Sequence, residues 1–147
     1  MEYKNNVLCV IYDDKDRFLM QLRSKDAPVL PGYIGFFGGN IEENEKPDEA
    51  IRIEIFEEIK YTSSFEFYRL RYALVVNFVE KAYIYINKFE GNPEQVIAYE
   101  GEEAIWIDKD LINYNILKHD SELLEELFEF NKNRKLYEQA TKNWKYS

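Results

Sequence analysis

Glu54, Glu57 and Glu58 carry the first chemical signal in the sequence, because their spacing is i, i+3 and i+4. The segment 47–60 reads as a helix. Pro47 suits its first position, and Asp48 and Glu49 suit the positive end of its dipole. At about 100° per residue, with Glu54 at 0°, Glu57 falls at about −60° and Glu58 at about +40°. The three carboxylates thus share one narrow stripe. Ile51, Ile55 and Ile59 flank it on one side and Ile53 on the other. Glu49, Arg52 and Lys60 lie on the far side, the natural solvent face. The acid stripe is therefore expected to face a cleft between apolar walls.

Like charges at i,i+4 destabilise a helix by about a few tenths of a kcal/mol per pair even in water. Partial burial raises that cost and pushes pKa values upward. No Lys or Arg on this helix is placed to answer the three acids. A hard divalent cation with oxygen ligands removes the conflict. A solvated acidic face is the competing reading. The preceding residues 35–39, GFFGG, weigh against it: glycine lets backbone approach a ligand closely, turn sharply into the helix and offer a carbonyl to a cation. Residues 38–59 hold eight carboxylates and only two basic residues.

The elements that must position these residues are legible in outline. Residues 5–12 read as a buried strand, 13–16 as a turn and 17–23 as the returning strand of a hairpin. Residues 24–35, with two prolines and two glycines, read as an irregular loop. Residues 65–79 and 82–89 read as strands, with Glu80 and Lys81 as the turn between them. Residues 91–93 form a turn and 104–107 a short strand. Asp120 or Ser121 caps a final helix running to about residue 140, with Leu123, Leu124, Leu127, Phe128 and Phe130 as its apolar stripe. The pattern implies an α/β fold, a mixed β-sheet between helices. A length of 147 residues fits one domain with a real core.

Composition narrows the partners. The net charge of −9 repels nucleic-acid polymers and anionic membranes, so an anionic substrate would need a cation between it and the protein. Cys9 is the only cysteine, which excludes an intrachain disulfide, and it sits in an apolar run as a core residue. No apolar run approaches the ~18–20 residues of a membrane span. A cytoplasmic location is expected. Aromatics, at 16%, supply core, and Tyr12, Tyr33, Phe36, Tyr83 and Tyr85 are available to stack on a planar ligand. His119 and Trp106 read as structural.

At these residues the chain resembles the Nudix hydrolase family, whose box is G-x5-E-x7-R-E-U-x-E-E-x-G-U with U a bulky aliphatic. Gly39, Glu45, Glu54, Ile55, Glu57 and Glu58 fall at the required spacings over 23 residues. Two positions depart. The family arginine falls on Ile53, with Arg52 one residue early, and the family glycine falls on Lys60. Lys60 is costly in a left-handed backbone, so that helix end is expected to close differently. Without the arginine, Glu45 loses its usual partner.

The resemblance implies a Nudix-like α/β/α sandwich and hydrolysis of a nucleoside diphosphate linked to another moiety. It implies Mg2+ as cofactor, with Mn2+ as a substitute, held by Glu57 and Glu58 with Glu54 and the Gly38 carbonyl. Glu54 would be a further ligand or the base that activates water. Glu100 is the loop candidate for that base and Glu103 the alternative. Arg23 and Gly39 would meet the substrate's phosphates. A homodimer is a habit of that family and is carried as an expectation. Two other functions stay open: a non-catalytic nucleotide-sensing module of the same fold, and an acidic domain that binds a basic protein.

Overall fold

The computed structural model describes residues 2–28, 30–100, 102–111 and 115–145. The chain runs β1 (Glu2–Tyr12), β2 (Phe18–Leu22), β3 (Ile34–Gly35), β4 (Phe37–Asn40), α1 (Pro47–Ile59), β5 (Glu66–Val75), β6 (Phe78–Lys88), β7 (Glu103–Ile107) and α2 (Lys118–Lys145). The strands form one mixed sheet of seven, with a helix against each face.

β1 is the axis. It runs parallel to β6 along its whole length, from Glu2 beside Phe78 to Tyr12 beside Lys88. Its other edge is shared. β4 pairs with it antiparallel from Asn6–Asn40 to Cys9–Phe37, while β2 joins it only at Tyr12–Phe18. β3 pairs instead with β2. The chain therefore changes partner at Phe36, and the sheet forks there. β7 covers the far edge of β2, and β5 covers β6.

Burial follows the period of two along β1. Val7, Cys9 and Ile11 pack on one face against Ile51, Ile55 and Ile59 of α1. Leu8 and Val10 pack on the other against Leu123, Leu124 and Leu127 of α2. A strand covered on both faces needs a continuous apolar run, as the sequence has. Burial pushes the Cys9 thiol well up, which fits a core residue.

Three expectations need correction. The turn between β5 and β6 falls at Val76 and Asn77, with Val76 at φ 54°, and Glu80 and Lys81 lie inside β6. Glu80 is a buried strand residue because two partners satisfy it: Arg71 Nη2 donates at 2.7 Å and Asn6 Nδ2 at 2.7 Å. β1 begins at Glu2 because β6 gives its polar start a parallel partner. α2 begins at Lys118, so Asp120 does not cap it. The Asp120 carboxylate instead accepts from the Phe36 N–H at 3.1 Å and from Arg71 Nη1 at 2.7 Å. Among the described residues, no helix is long and apolar enough to cross a membrane.

Candidate active site

α1 starts at Pro47 with Asp48 and Glu49 in its first turn. Ala50, Ile51, Ile55 and Ile59 are buried, so the helix is fixed by one apolar face. That fixes where the acids point. Glu54 and Glu58 are half-buried at the border of this face, and Glu57 is exposed at the outer rim. Two of the three carboxylates thus occupy the cleft and the third overlooks it.

The glycine pair is held by two close approaches. A Cβ on Gly39 would collide with the Glu54 carboxylate, and one on Gly38 with the Val7 carbonyl. The Glu54 carboxylate therefore rests directly on β4 backbone. Its pKa is pushed up to about 7, first by burial, then by the charges of Glu57, Glu45, Glu42 and Glu100. Glu58 is also pushed up to about 7, first by burial, then by Glu102, Glu54 and Glu100 and by a hydrogen bond with Glu102.

Glu102 is the residue that the sequence reading missed. Burial raises its pKa, while Arg23 and the hydrogen bond to Glu58 pull it down. The fold supplies the reason: Ala104 and Trp106 pack on the α1 side of the sheet, and a period of two puts position 102 with them. The same alternation turns Glu103 to the other face, beside Ile105. Glu100 is exposed, yet its charge acts on both Glu54 and Glu58. The Tyr99 N–H donates to the Glu58 carbonyl at 2.9 Å and ties this acidic loop to the end of α1.

Arg23 follows β2 and donates its backbone N–H to the Tyr33 carbonyl at 2.9 Å. With Gly38, Gly39, Phe36 and Asp120 it lines a cavity of about 420 Å3. Of the aromatic candidates, Phe36 lines this cavity, Tyr12 and Tyr85 belong to the core, Tyr83 packs beside it, and Tyr33 is exposed. His119 lies within hydrogen-bonding distance of the Leu74 carbonyl, 2.9 Å from Nε2, as a structural residue would.

The family model described as the NUDIX domain matches residues 2–127. The chain belongs to the Nudix family. No curated protein matches it in sequence. Several solved structures share its fold. A MutT protein from Methanosarcina mazei Go1 is 18% identical, with 89% of this chain and 96% of that one covered and a TM-score of 0.76. The ORF135 protein of E. coli is 21% identical, covers 91% and 94%, and has a TM-score of 0.72. A NUDIX-family hydrolase from Clostridium perfringens is 18% identical, covers 88% and 99%, and has a TM-score of 0.67. The sheet between α1 and α2 is the Nudix α/β/α sandwich.

The Nudix departures have visible consequences. Ile53, in the arginine position, is 46% exposed, and Arg52 pairs loosely with Asp48 at 3.9 Å on the solvent side. Glu45 turns to its own loop and accepts the Glu42 N–H at 3.0 Å. Lys60 does take the left-handed backbone, φ 55° and ψ 37°, and donates its N–H to the Phe56 carbonyl at 2.9 Å. The helix end therefore closes as a glycine would close it, against expectation. The strain is offset only in part by the Lys60 ammonium, 5.3 Å from the Phe56 ring centroid and 5.4 Å from that of Tyr99.

The acids fit a divalent ion. Every donor is an oxygen, and Glu58 Oε2 and Glu102 Oε2 are buried with no hydrogen-bond partner. Among the described residues no three acids form a ready-made cluster.

Proposed function

We propose that this chain is a magnesium-dependent pyrophosphohydrolase that breaks the diphosphate linkage of a nucleoside diphosphate joined to another moiety. One observation carries the reading. Glu54, which rests on the Gly39 backbone, and Glu58, one turn on, are both pushed up to about 7 by burial and neighbouring carboxylates. Carboxyl groups tuned to that range hold and release protons at neutral pH. Membership of the Nudix family supports the same chemistry.

Glu57, Glu58, Glu54 and the Gly38 carbonyl would hold Mg2+ (or Mn2+ in its place), with Glu102 beside Glu58. When bound, the ion neutralises the acids and polarises the phosphoryl oxygens. Glu54 positions the attacking water and takes its proton as the new P–O bond forms and the bridging P–O bond breaks. Glu100 is the second candidate for this proton transfer. Gly39 lets the phosphates lie close to the backbone, and Arg23 meets their charge. The cavity beyond takes the non-phosphate part of the substrate.

A test is phosphate release from a nucleotide panel, with Mg2+ titrated by calorimetry. Glu58→Gln is expected to lower turnover by roughly 10²-fold or more and to weaken metal affinity. If both quantities survive Glu57→Gln and Glu58→Gln, the hydrolase reading fails. The exposed Ile53 in the arginine position favours one second reading, a nucleotide-sensing module. Tight nucleotide binding without phosphate release under varied metals would establish it. We further propose a homodimer. Exposed Tyr3, Tyr72 and Leu74 on the α1 side of the sheet support it, and sedimentation equilibrium tests it.

A further inference from the structure

The far end of α2 leaves the body of the protein. The helix starts beside β5, where Arg71 holds Asp120 and Arg69 holds Glu126. It crosses the sheet to Tyr12, whose hydroxyl accepts from Arg134 Nη1 at 2.8 Å, and Lys135 pairs with Asp16 at the turn after β1. The next residues, Leu136 to Ala140, are all exposed. At about 100° per residue, such a run faces every direction, so the body buries no side of this arm. Leu136 is 56% and Tyr137 72% exposed. A helical stretch of this length draws most of its stability from packing.

The arm also differs in charge. Residues 132–145 hold five basic side chains and one acid, so they carry +4 in a chain of −9 and leave −13 on the rest. Two such arms repel each other, and an acidic surface attracts them. One uncovered surface has the matching character. On the α1 side of the sheet Tyr3, Phe67, Tyr72 and Leu74 are exposed. They form one surface. Tyr3 and Leu74 both sit beside Val79, and Tyr72 sits beside Lys81. The Phe67 ring meets those of Tyr83 and Tyr85 at centroid distances of 6.3 and 5.7 Å. Acids border the surface, because the Ile41 N–H donates to the Asn5 carbonyl at 2.9 Å and Glu42 and Glu43 follow directly. α2 packs on the opposite face of the sheet, so the arm of the same chain does not cover this one. Stacking the surface on its own copy is disfavoured by Lys81, which lies in its middle and would be enclosed between sheets about 10 Å apart.

We propose that the basic arm of α2 docks on the β1–β6–β5 surface of a second copy, and that the exchange is mutual. The inference deepens the homodimer proposed above and rests on that reading: it names the interface. Leu136, Ala140 and Tyr137 fall within about 100° of arc and form the apolar side of the arm. They meet Tyr3, Tyr72 and Leu74, while the lysines of the arm reach the acidic border. The sizes agree. Three strands span about 14 Å, the rows from Tyr3 to Phe67 about 20 Å, and the arm is about 21 Å long and about 10 Å wide. Two mutual contacts of roughly 300 Å2 on each side bury roughly 1,200 Å2 in total, the lower limit of a specific interface.

The experiment is sedimentation equilibrium of the full chain, followed by cross-linking. Tyr137→Ser and Tyr72→Ser, both at exposed positions, are each expected to loosen the dimer roughly tenfold. For cross-linking, an affinity-tagged Leu74→Cys chain is mixed with an untagged Tyr137→Cys chain under oxidation. Cys9 is buried and stays silent. The mixed pair is expected to form at least about tenfold faster than either like pair. A faster Leu74→Cys like pair would mean that the two surfaces stack on each other, and a faster Tyr137→Cys like pair that the arms meet; either overturns the inference, as does the absence of any cross-link. A dimer that is indifferent to Tyr137→Ser keeps the homodimer and removes the arm. An unaltered chain that stays monomeric at millimolar concentration removes both.

Discussion

Glu54 and Glu58 have ordinary pKa values of 4.5 and values of about 7 in the folded chain. Folding therefore takes up protons between those limits. The stabilising contribution of these two groups is complete below about 4.5 and is lost as pH rises through about 7. Each is about half in water, so screening holds the effect to roughly 1 kcal/mol or less per group. The metal-free protein is expected to melt roughly 2–4 °C lower at pH 8 than at pH 5 on account of each acid. Glu54→Gln with Glu58→Gln should flatten that slope, and saturating Mg2+ should remove it in the unaltered chain. Scanning calorimetry of the three samples checks this, and an equal slope in all three would mean that these acids are not under strain. The spacing of the three acids made Glu54 and Glu58 legible without a structure. Glu102 was not read because its loop holds three glutamates within four positions, and only the pairing of β7 with β2 says which of them faces α1.

At the scale of elements, two devices set the geometry around the cleft. The first is the end of α1. Lys60 carries a left-handed backbone that glycine adopts without strain, so Lys60→Gly is expected to stabilise by about 0.5–1 kcal/mol after the loss of its ring contacts. Urea unfolding measures the difference, and destabilisation would show that the ring contacts outweigh the backbone. The second is the Arg71 bridge, which ties β5 and β6 to the start of α2 through Glu80 and Asp120. Burial raises the Asp120 pKa against the pull of Arg71, the larger effect being burial. Arg71→Met would leave two buried carboxylates without their cation and is expected to cost about 3–5 kcal/mol. A loss below about 1 kcal/mol in the same urea experiment would mean that both acids accept protons instead. This bridge explains the misplaced turn. Glu80 and Lys81 look like turn residues because buried charge is rare, and the compensating Arg71 is invisible until β5 and β6 are paired. The fork at Phe36 was hidden for a similar reason. Its two strands are only two and four residues long, too short for any periodicity to show.

The whole molecule sets its long-range field against its local one. The chain carries −9, and its acids crowd the α1 side of Gly38 and Gly39. The cavity on the α2 side is lined by Lys4, Arg23, Arg71 and Lys118 against Glu80 and Asp120. An anionic substrate approaching from bulk meets the net charge first and the basic lining only within a Debye length. That length is about 30 Å at 0.01 M salt and about 8 Å at 0.15 M. Repulsion should therefore slow association at low salt even when Mg2+ saturates the acids, because neutralising a few carboxylates leaves the chain negative. The association rate constant of a fluorescent nucleotide is expected to rise as salt increases from about 0.01 to about 0.15 M. Most protein–anion pairs built on basic surfaces show the opposite slope. Stopped-flow mixing at fixed saturating Mg2+ gives the slope directly. A rate that falls with salt would mean that the basic lining governs the approach from afar.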